Sequence, residues 1–326
     1  MAREEILNLM VAHPGEYVSG ELMSEQLQLT RAAVWKQIKV LRESGFEIEA
    51  QTKKGYRLLQ TPFSINAWTI RHVLKTQQLG QKLDLHEVLP STNERAKELA
   101  RQGMEHGTVV LAERQSAGHG RMQRRWESPR GGLWMSVILK PKLSLADASK
   151  LTLCTGVAVV DALKKVCKLE IGIKWPNDLV YGGQKIAGIL GEVVGEWNTV
   201  QTMVIGIGVN ANLNRQDLSK DLMATTLQEI VGVKLDLNVL AAAILERLEE
   251  ELFCLETQGF SSLRERWLQR AMGLGRSAVI QRGNQSFEGV IQGISSEGEL
   301  ILRIGEENHT FAAGEVRLRS TSGTYF

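Results

Sequence analysis

The sequence predicts an α+β protein built from three regions that differ in secondary structure. Apolar residues at helical spacing, followed by an alternating strand pair, occupy residues 1–62 and predict a winged helix-turn-helix domain. Apolar strands mixed with longer helices occupy residues 63–272, as in a mixed α/β domain. Short strands separated by turn residues fill residues 273–326 and predict a small β-barrel.

Capping and turn residues define the N-terminal elements. Ser19 and Thr30 are suited to cap the second and third helices, and Gly45 is suited to end the third. Residues 46–50 alternate apolar and polar side chains, and residues 56–59 return after a Lys-Lys-Gly turn. Three helices followed by a hairpin are the element order of a winged helix-turn-helix.

The third helix is the candidate DNA-recognition helix. It carries basic side chains and no acidic residue between Thr30 and Arg42, which suits a helix lying in the major groove. The predicted DNA-binding residues lie in segment 20–39 and in the wing: Arg31, Trp35, Lys36, Lys39, Lys53 and Lys54. Two alternatives stay open, because Trp35 can pack instead of touching a base, and small helical domains also bind proteins.

Hydrophobic patterning predicts the remaining elements. The central strands are predicted at residues 108–112, 133–139, 169–173 and 204–209, and the central helices at 151–166 and 237–255. The C-terminal strands are predicted at residues 278–280, 287–291, 300–302 and 309–311, with Gly, Asn and Ser turns between them. Thr61-Pro62 marks the first domain boundary.

Composition excludes several classes of protein. The chain has 326 residues, of which 43% are apolar and 23% charged, and a formal net charge of +2, all ordinary for a globular protein. The sequence shows neither an uncharged bilayer-length apolar run nor a signal-peptide pattern, so we expect a cytoplasmic protein with no membrane partner. The odd cysteine count, Cys154, Cys167 and Cys254, indicates free thiols instead of disulfides or a zinc site.

The segment from Gly118 to Trp126 is the strongest candidate for a ligand-binding loop. It combines two glycines, three arginines and a tryptophan. These supply a closely approaching backbone, donors for phosphate or carboxylate, and a flat face for a base. The segment matches neither common glycine-rich phosphate motif. The alternatives are a basic loop without a ligand and, for His119, an ordinary solvent-exposed histidine.

A second cluster, Lys174-Trp175-Pro176-Asn177-Asp178, ends an apolar strand, and Lys185 precedes the apolar residues 186–190. A lysine in such a strand either binds an anion or extends its ammonium group to solvent. Asp178 is a metal ligand, a helix cap or a hydrogen-bond acceptor, and spacing does not choose among them. The sequence has no Gly-x-Ser-x-Gly nucleophile elbow and no His-x-x-x-His pair, so we expect neither that chemistry nor a dedicated metal site.

Taken together, the order of these motifs resembles that of the biotin–protein ligases. The motifs are Ser91-Thr92-Asn93, Gln115, the loop 118–126, Lys174 to Asp178, Lys185 to Leu190, and Gly206-Ile207-Gly208-Val209-Asn210. With the N-terminal domain, nearly the whole chain is similar to the bacterial bifunctional biotin ligase–repressors. The resemblance implies a central domain of the biotin/lipoate ligase type and a C-terminal barrel that is SH3-like.

The resemblance also implies substrates and partners. Biotin and ATP with Mg²⁺ give biotinyl-5′-AMP, and the biotin then passes to a lysine of a biotin carboxyl carrier domain of the acetyl-CoA or pyruvate carboxylase type. The adenylate is both intermediate and corepressor, and it promotes a homodimer that binds operator DNA and represses genes of biotin synthesis and uptake. The residues expected to bind biotin are Ser91, Thr92, Asn93, Gln115, Gly118, His119, Gly120, Arg121, Lys185, Gly188, Gly206 and Gly208.

The nucleotide and catalytic groups are carried over in the same way. The residues expected to bind the nucleotide are Arg121, Arg124, Trp126, Lys174, Asn177, Asp178 and Asn210, and Trp126 is expected to stack on the adenine. Lys185 and Arg121 are the expected catalytic residues, with Glu315 and Arg319 assisting from the C-terminal domain.

The sequence departs from the family within the loop, and two other functions compete. His119, Met122 and Gln123 replace Arg, Arg and Gly, so Gln123 argues against a positive φ there. A lipoate–protein ligase is the nearest rival, but the sequence lacks an Arg-Arg-x-Ser-Gly-Gly-Gly segment. The second competing function is that of a transcription regulator that only senses a small ligand.

Overall fold

A computed structural model describes residues 2–141, 148–195, 202–218, 223–313 and 316–320. Contacts divide the chain into two compact units, Met1–His72 and Val73–Phe326. The division falls later than residue 62, where the sequence places its first boundary, because α4 (Ala67–Val73) packs on the first unit. The three predicted domain ranges stay predictions.

The first unit has the element order expected of a winged helix-turn-helix. Its elements are α1 (Ala2–Ala12), α2 (Gly20–Leu27), α3 (Arg31–Glu43), β1 (Glu47–Gln51) and β2 (Gly55–Gln60). Both predicted caps are confirmed, since the Leu22 amide donates to Ser19 Oγ at 3.0 Å and the Ala33 amide to Thr30 Oγ1 at 3.1 Å. Apolar side chains from all three helices and the hairpin form its core.

A seven-stranded mixed sheet forms the centre of the second unit. Its strands are β3 (Leu83–Leu89), β4 (Val109–Gln115), β5 (Leu133–Leu139), β6 (Gly172–Lys174), β7 (Asp178–Tyr181), β8 (Gln184–Val194) and β9 (Thr202–Val209). The strand order is β3-β4-β5-β9-β8-β7-β6, and only the β3–β4 pair is parallel among them. Every residue of β5 is buried, as its continuous apolar sequence predicts.

Four longer helices pack around this sheet: α5 (Thr92–Arg101), α6 (Ala148–Cys167), α8 (Leu237–Gln258) and α9 (Phe260–Arg270), and α7 (Leu227–Val231) is a single short turn. Helix α5 contacts β4, β5 and β9, whereas α6 lies between α8 and β8. Asp236 caps α8, and Gly259 with a φ of 75° ends it. The contacts of α5 with β4, β5 and β9 hold the start of this helix against the middle of the sheet.

The C-terminal strands form a small antiparallel sheet. Strands β10 (Ser277–Arg282), β11 (Gln285–Ile294), β12 (Leu300–Ile304), β13 (Glu307–Phe311) and β14 (Val316–Ser320) pair in the order β13-β12-β11-β10-β14. Lys150 on α6 pairs with Glu297 at 3.0 Å, and the Trp175 indole donates to the Gly298 carbonyl at 3.1 Å. The β11–β12 turn therefore supports the segment that carries Trp175.

Candidate active site

A cavity of about 400 Å³ opens at the middle of the mixed sheet. Strands β4, β8 and β9, the start of α5 and the loop 118–126 supply its walls. Most of the predicted site residues line it, so motifs distant in sequence meet there. Gly118 is not among the lining residues, and Glu315 lies outside the described residues. Arg319 lies in β14, where only the backbone is described.

One part of the wall is made of neutral hydrogen-bonding groups. The backbone amide of Thr92 donates to Gln115 Oε1 at 2.7 Å, and Gln115 Nε2 donates to Ser128 Oγ at 2.8 Å. Ser136 Oγ donates to Asn93 Oδ1 at 2.6 Å and lies 2.8 Å from Thr92 Oγ1. Each side chain is fixed by its neighbour, so the wall is prepared for a neutral polar ligand.

Another part of the wall is cationic. Lys185 Nζ lies 2.5 Å from Asp178 Oδ1 and 4.7 Å from the centre of the Trp126 ring. The side chain of Lys174 lines the same cavity although only 3% of that residue is exposed. Arg121 donates to Asn177 Oδ1 at 3.4 Å and to the Ala313 carbonyl. Burial lowers the pKa of Arg121, although a guanidinium stays charged at neutral pH.

Two glycines of β9 show where the neutral and the cationic parts of the wall lie along the strand. A Cβ on Gly206 would lie 2.2 Å from Asn93 Oδ1, and a Cβ on Gly208 would lie 2.8 Å from Trp126 Nε1. Residues two apart on a strand face the same side, so Gly206 and Gly208 form one floor. The neutral wall therefore stands beside Gly206, and the Trp126 ring with Lys185 above it stands beside Gly208.

The loop 118–126 corrects two expectations. Met122 and Gln123 have φ angles of 57° and 55°, so the left-handed backbone occurs without the glycine that we thought it required. Hydrogen bonds from Gly120 N to Arg124 O at 2.7 Å and from Trp126 N to Gly118 O at 2.9 Å hold this turn closed. The His119 side chain is only 12% exposed, so it is not the solvent-exposed histidine of the alternative reading.

Three further residues of the site were missed by sequence reasoning. Two of them bind the predicted residue Asn93: Ser136 donates to it at 2.6 Å, and Glu192 accepts from it at 2.7 Å. The third, Lys97, donates to Glu192 at 3.0 Å. Ser136 carried a usable signal, since it interrupts the apolar strand β5. No comparable pattern marks Glu192. Asn210, by contrast, was predicted, and its buried amide donates to the Thr225 carbonyl at 3.2 Å.

The first unit presents the predicted DNA-binding side chains on its surface. Trp35 is 58% exposed, which excludes the packed alternative, and Lys36 is exposed. Arg31 pairs with Glu21 at 2.8 Å while most of its side chain stays exposed. Lys39, Lys53 and Lys54 are exposed as well. Arg42 differs, because it donates to the Ile48 carbonyl at 2.6 and 2.9 Å and so ties α3 to β1.

Known families match three consecutive parts of the chain: an HTH domain at residues 2–57, the Biotin/lipoate A/B protein ligase family at 85–210, and the Biotin protein ligase C terminal domain at 273–319. The bifunctional ligase/repressor BirA of Bacillus subtilis is 38% identical over 319 residues, which are 97% of this chain and 98% of that protein. The chain belongs to the biotin/lipoate protein ligase family.

Other members of the ligase family agree with this assignment. The bifunctional ligase/repressor BirA of Escherichia coli K12 is 33% identical over 309 residues, covering 94% of each protein. The solved biotin protein ligase from Aquifex aeolicus in complex with biotin and ATP has a TM-score of 0.66 and 29% identity. That likeness covers 74% of this chain and all of the Aquifex chain. The predicted fold class is thereby confirmed, with a helix-turn-helix, a ligase fold and a small antiparallel C-terminal domain.

Proposed function

We propose that this protein is a biotin–protein ligase that makes biotinyl-5′-AMP from biotin and MgATP and transfers the biotin to a carrier lysine. The observation that supports this most is the order of groups along β9. Neutral hydrogen-bonding groups stand beside Gly206, and the Trp126 ring stands beside Gly208 with the Lys185 ammonium over its face. Biotin has the same order, a neutral ureido ring at one end and a carboxylate at the other.

The first step joins two anions, so fixed positive charge is the chief requirement. A carboxylate oxygen of biotin attacks the α-phosphorus of ATP, the bond to the bridging oxygen breaks, and pyrophosphate leaves. Lys185 neutralises the charge that develops between the carboxylate and the α-phosphate, and Arg121 and Arg124 hold the phosphates. Trp126 stacking on the adenine stays a prediction.

Mg²⁺ bound to ATP would shield the charge of its phosphates. Asp178 and Asn177 line the cavity and offer oxygen donors of the kind that Mg²⁺ accepts.

The second step needs the adenylate to be kept from water. The ε-amine of the carrier lysine attacks the anhydride carbonyl, AMP leaves with the bonding electrons, and the new amide nitrogen loses a proton. No covalent enzyme intermediate is required, so positioning by the loop 118–126 and the exclusion of water account for the role of the protein. The acceptor is a biotin carboxyl carrier domain, and its carboxylase type is part of the proposal.

Pyrophosphate release tests the ligase function directly. We expect release with biotin and ATP, none with lipoate and ATP, and transfer of labelled biotin to a carrier domain. Release with lipoate and ATP but not with biotin and ATP would make the chain a lipoate ligase. No release with either acid would leave only the ligand-sensing regulator.

The N-terminal unit adds a repressor function. We propose that biotinyl-5′-AMP acts as corepressor by promoting a homodimer, whose two α3 helices read a palindromic operator. Exposed Trp35, Lys36 and Lys39 on α3 support this, as does the HTH match. Since operator DNA is the partner, we propose that the protein acts in the cytoplasm. Among the described helices, none combines the length and apolar character needed to cross a membrane.

A gel-shift titration with and without biotin and ATP tests this second function. We expect operator affinity to rise with the adenylate and to fall in Lys36→Ala, with a smaller salt dependence for the variant. Lys164→Ala, on α6 in the other unit, is the control. An affinity that the adenylate leaves unchanged would remove the corepressor role and keep the ligase.

A further inference from the structure

Glu192, on β8, joins three parts of the ligase site through one carboxylate. Its Oε2 accepts from Asn93 Nδ2 at 2.7 Å, and its Oε1 accepts from Lys97 Nζ at 3.0 Å. The imidazole Nε2 of His119, in the loop, lies 3.9 Å from the same carboxylate. One side chain of the sheet therefore contacts both the start of α5 and the loop that covers the cavity.

On the α5 side, Glu192 fixes the orientation of the Asn93 amide. Ser136 donates to Asn93 Oδ1 at 2.6 Å while Asn93 Nδ2 donates to Glu192, so a flipped amide would set Oδ1 against the Glu192 carboxylate and lose that bond. Burial alone would raise the pKa of Glu192, but hydrogen bonds from Asn93 and Lys97 hold it below its usual range. The carboxylate is therefore charged at neutral pH.

On the loop side, His119 Nε2 lies near charged groups without a hydrogen bond to them. Its Nε2 is shielded from solvent and has no hydrogen-bond partner among the described residues. The charged groups that face it there are Glu94 at 3.7 Å and Lys97 on α5, and Glu192 at 3.9 Å on β8. Lys97 also pairs with Glu94 at 2.6 Å, so one ammonium faces two carboxylates and the cluster keeps a net negative charge.

We propose that Glu192 is a positioning residue of the ligase site, which orients Asn93 and attracts a cationic side chain at position 119, so that the loop 118–126 closes more firmly when that position carries a positive charge. A protonated imidazole balances the remaining negative charge, whereas a neutral one leaves it unbalanced. A side chain with a permanent positive charge at position 119 would therefore hold the loop more firmly than a neutral one. The inference rests on the proposed function, which makes this loop the cover of the adenylate and Asn93 a biotin-binding residue.

Hydrogen exchange of the unliganded full chain tests the proposal without requiring ligase activity. Loop peptides are followed at pH 7 in His119→Arg and His119→Gln, with each rate divided by that of the same peptide in the unfolded chain. We expect about five-fold more protection in His119→Arg than in His119→Gln, the effect of a partly buried ion pair. Glu192→Gln, added to each variant, should remove this difference.

The matched control is Glu98→Gln, on helix α5, because this side chain is 58% exposed and paired with Arg95 and should leave the protection of the loop unchanged. Equal protection of the loop in His119→Arg and His119→Gln would overturn the proposal. The proposed orientation of Asn93 by Glu192 is tested separately, in the ligase assay. Glu192→Ala should raise KM for biotin by about ten-fold with little change in kcat, because a buried hydrogen bond to a charged group is lost. Glu192→Gln, which keeps an acceptor, should restore most of that affinity.

An unchanged KM in Glu192→Ala would remove the role toward Asn93. A wild type that releases no pyrophosphate would refute the ligase function, and the exchange result would still decide whether Glu192 holds the loop.

Discussion

The Lys185 ammonium and the Asp178 carboxylate lie 2.5 Å apart on neighbouring strands, β8 and β7. The two side chains are 20% and 16% exposed, so the pair is largely shielded from solvent. The Asp178 carboxylate fixes the position of the Lys185 ammonium before an anionic substrate enters. A positive charge that needs no reorganisation is the arrangement that stabilises a transition state most effectively.

Lys185→Ala should therefore act on the chemical step. We expect kcat for biotin-dependent pyrophosphate release to fall about 10²–10³-fold, the usual effect of removing one preorganised charge or donor. Lys164→Ala, whose side chain is exposed and pairs with Glu170 at 2.6 Å, is the control. A kcat within ten-fold of wild type in a folded Lys185→Ala protein would assign the neutralising charge to another residue.

Gly208→Ala should disturb the nucleotide end of the cavity. The added Cβ would lie 2.8 Å from Trp126 Nε1 and about as close to the ring carbons, so the indole must move. We expect a higher KM for ATP, measured by pyrophosphate exchange, and a smaller effect on biotin binding measured alone. Gly156→Ala is the comparison, since its Cβ would meet only ordinary contacts at 3.6 Å or more. Equal KM values for ATP in both variants would show that Trp126 does not contact the nucleotide.

Sequence reasoning predicted the elements whose patterns are local. The buried strand β5 has the predicted bounds, and helix α6, predicted at residues 151–166, spans Ala148–Cys167. The strand β3 was not predicted, because its sequence LDLHEVL carries charged groups on an edge strand and shows little apolar character. Helix α4 was missed as well, since seven residues give too short a period to recognise.

The residues of the candidate site also divide into those that a local sequence pattern marks and those that no local pattern marks. The loop 118–126 and Lys185 are evident in the sequence because glycine and charge are unusual in their surroundings. Ser136 and Glu192 lie 43 and 99 residues from Asn93 in the sequence, and only the pairing of β5, β9 and β8 brings them together. A single serine or glutamate has no local pattern that predicts such a contact.

Ser136→Ala should weaken biotin binding and folding together. The hydroxyl is fully buried and lies within hydrogen-bond distance of Thr92 Oγ1 and Asn93 Oδ1, so its loss leaves Asn93 Oδ1 without this donor. We expect the free energy of unfolding to fall by about 1–3 kcal/mol, measured by urea denaturation. Biotin affinity, measured by calorimetry without ATP, should fall as well. Biotin affinity equal to wild type in Ser136→Ala would mean that Thr92 and Asn93 do not depend on this hydroxyl.

The three cysteines should differ in reactivity. Burial raises the pKa of Cys167 to about 11 and that of fully buried Cys154 well above its usual value, so neither provides a thiolate at neutral pH. Cys254 is only half-buried. Brief treatment with N-ethylmaleimide at pH 7 should therefore modify Cys254 first, as mass spectrometry of peptides would show. Cys254→Ser should remain unlabelled until denaturant is added, and rapid labelling of Cys167 in the native variant would contradict the burial that raises its pKa.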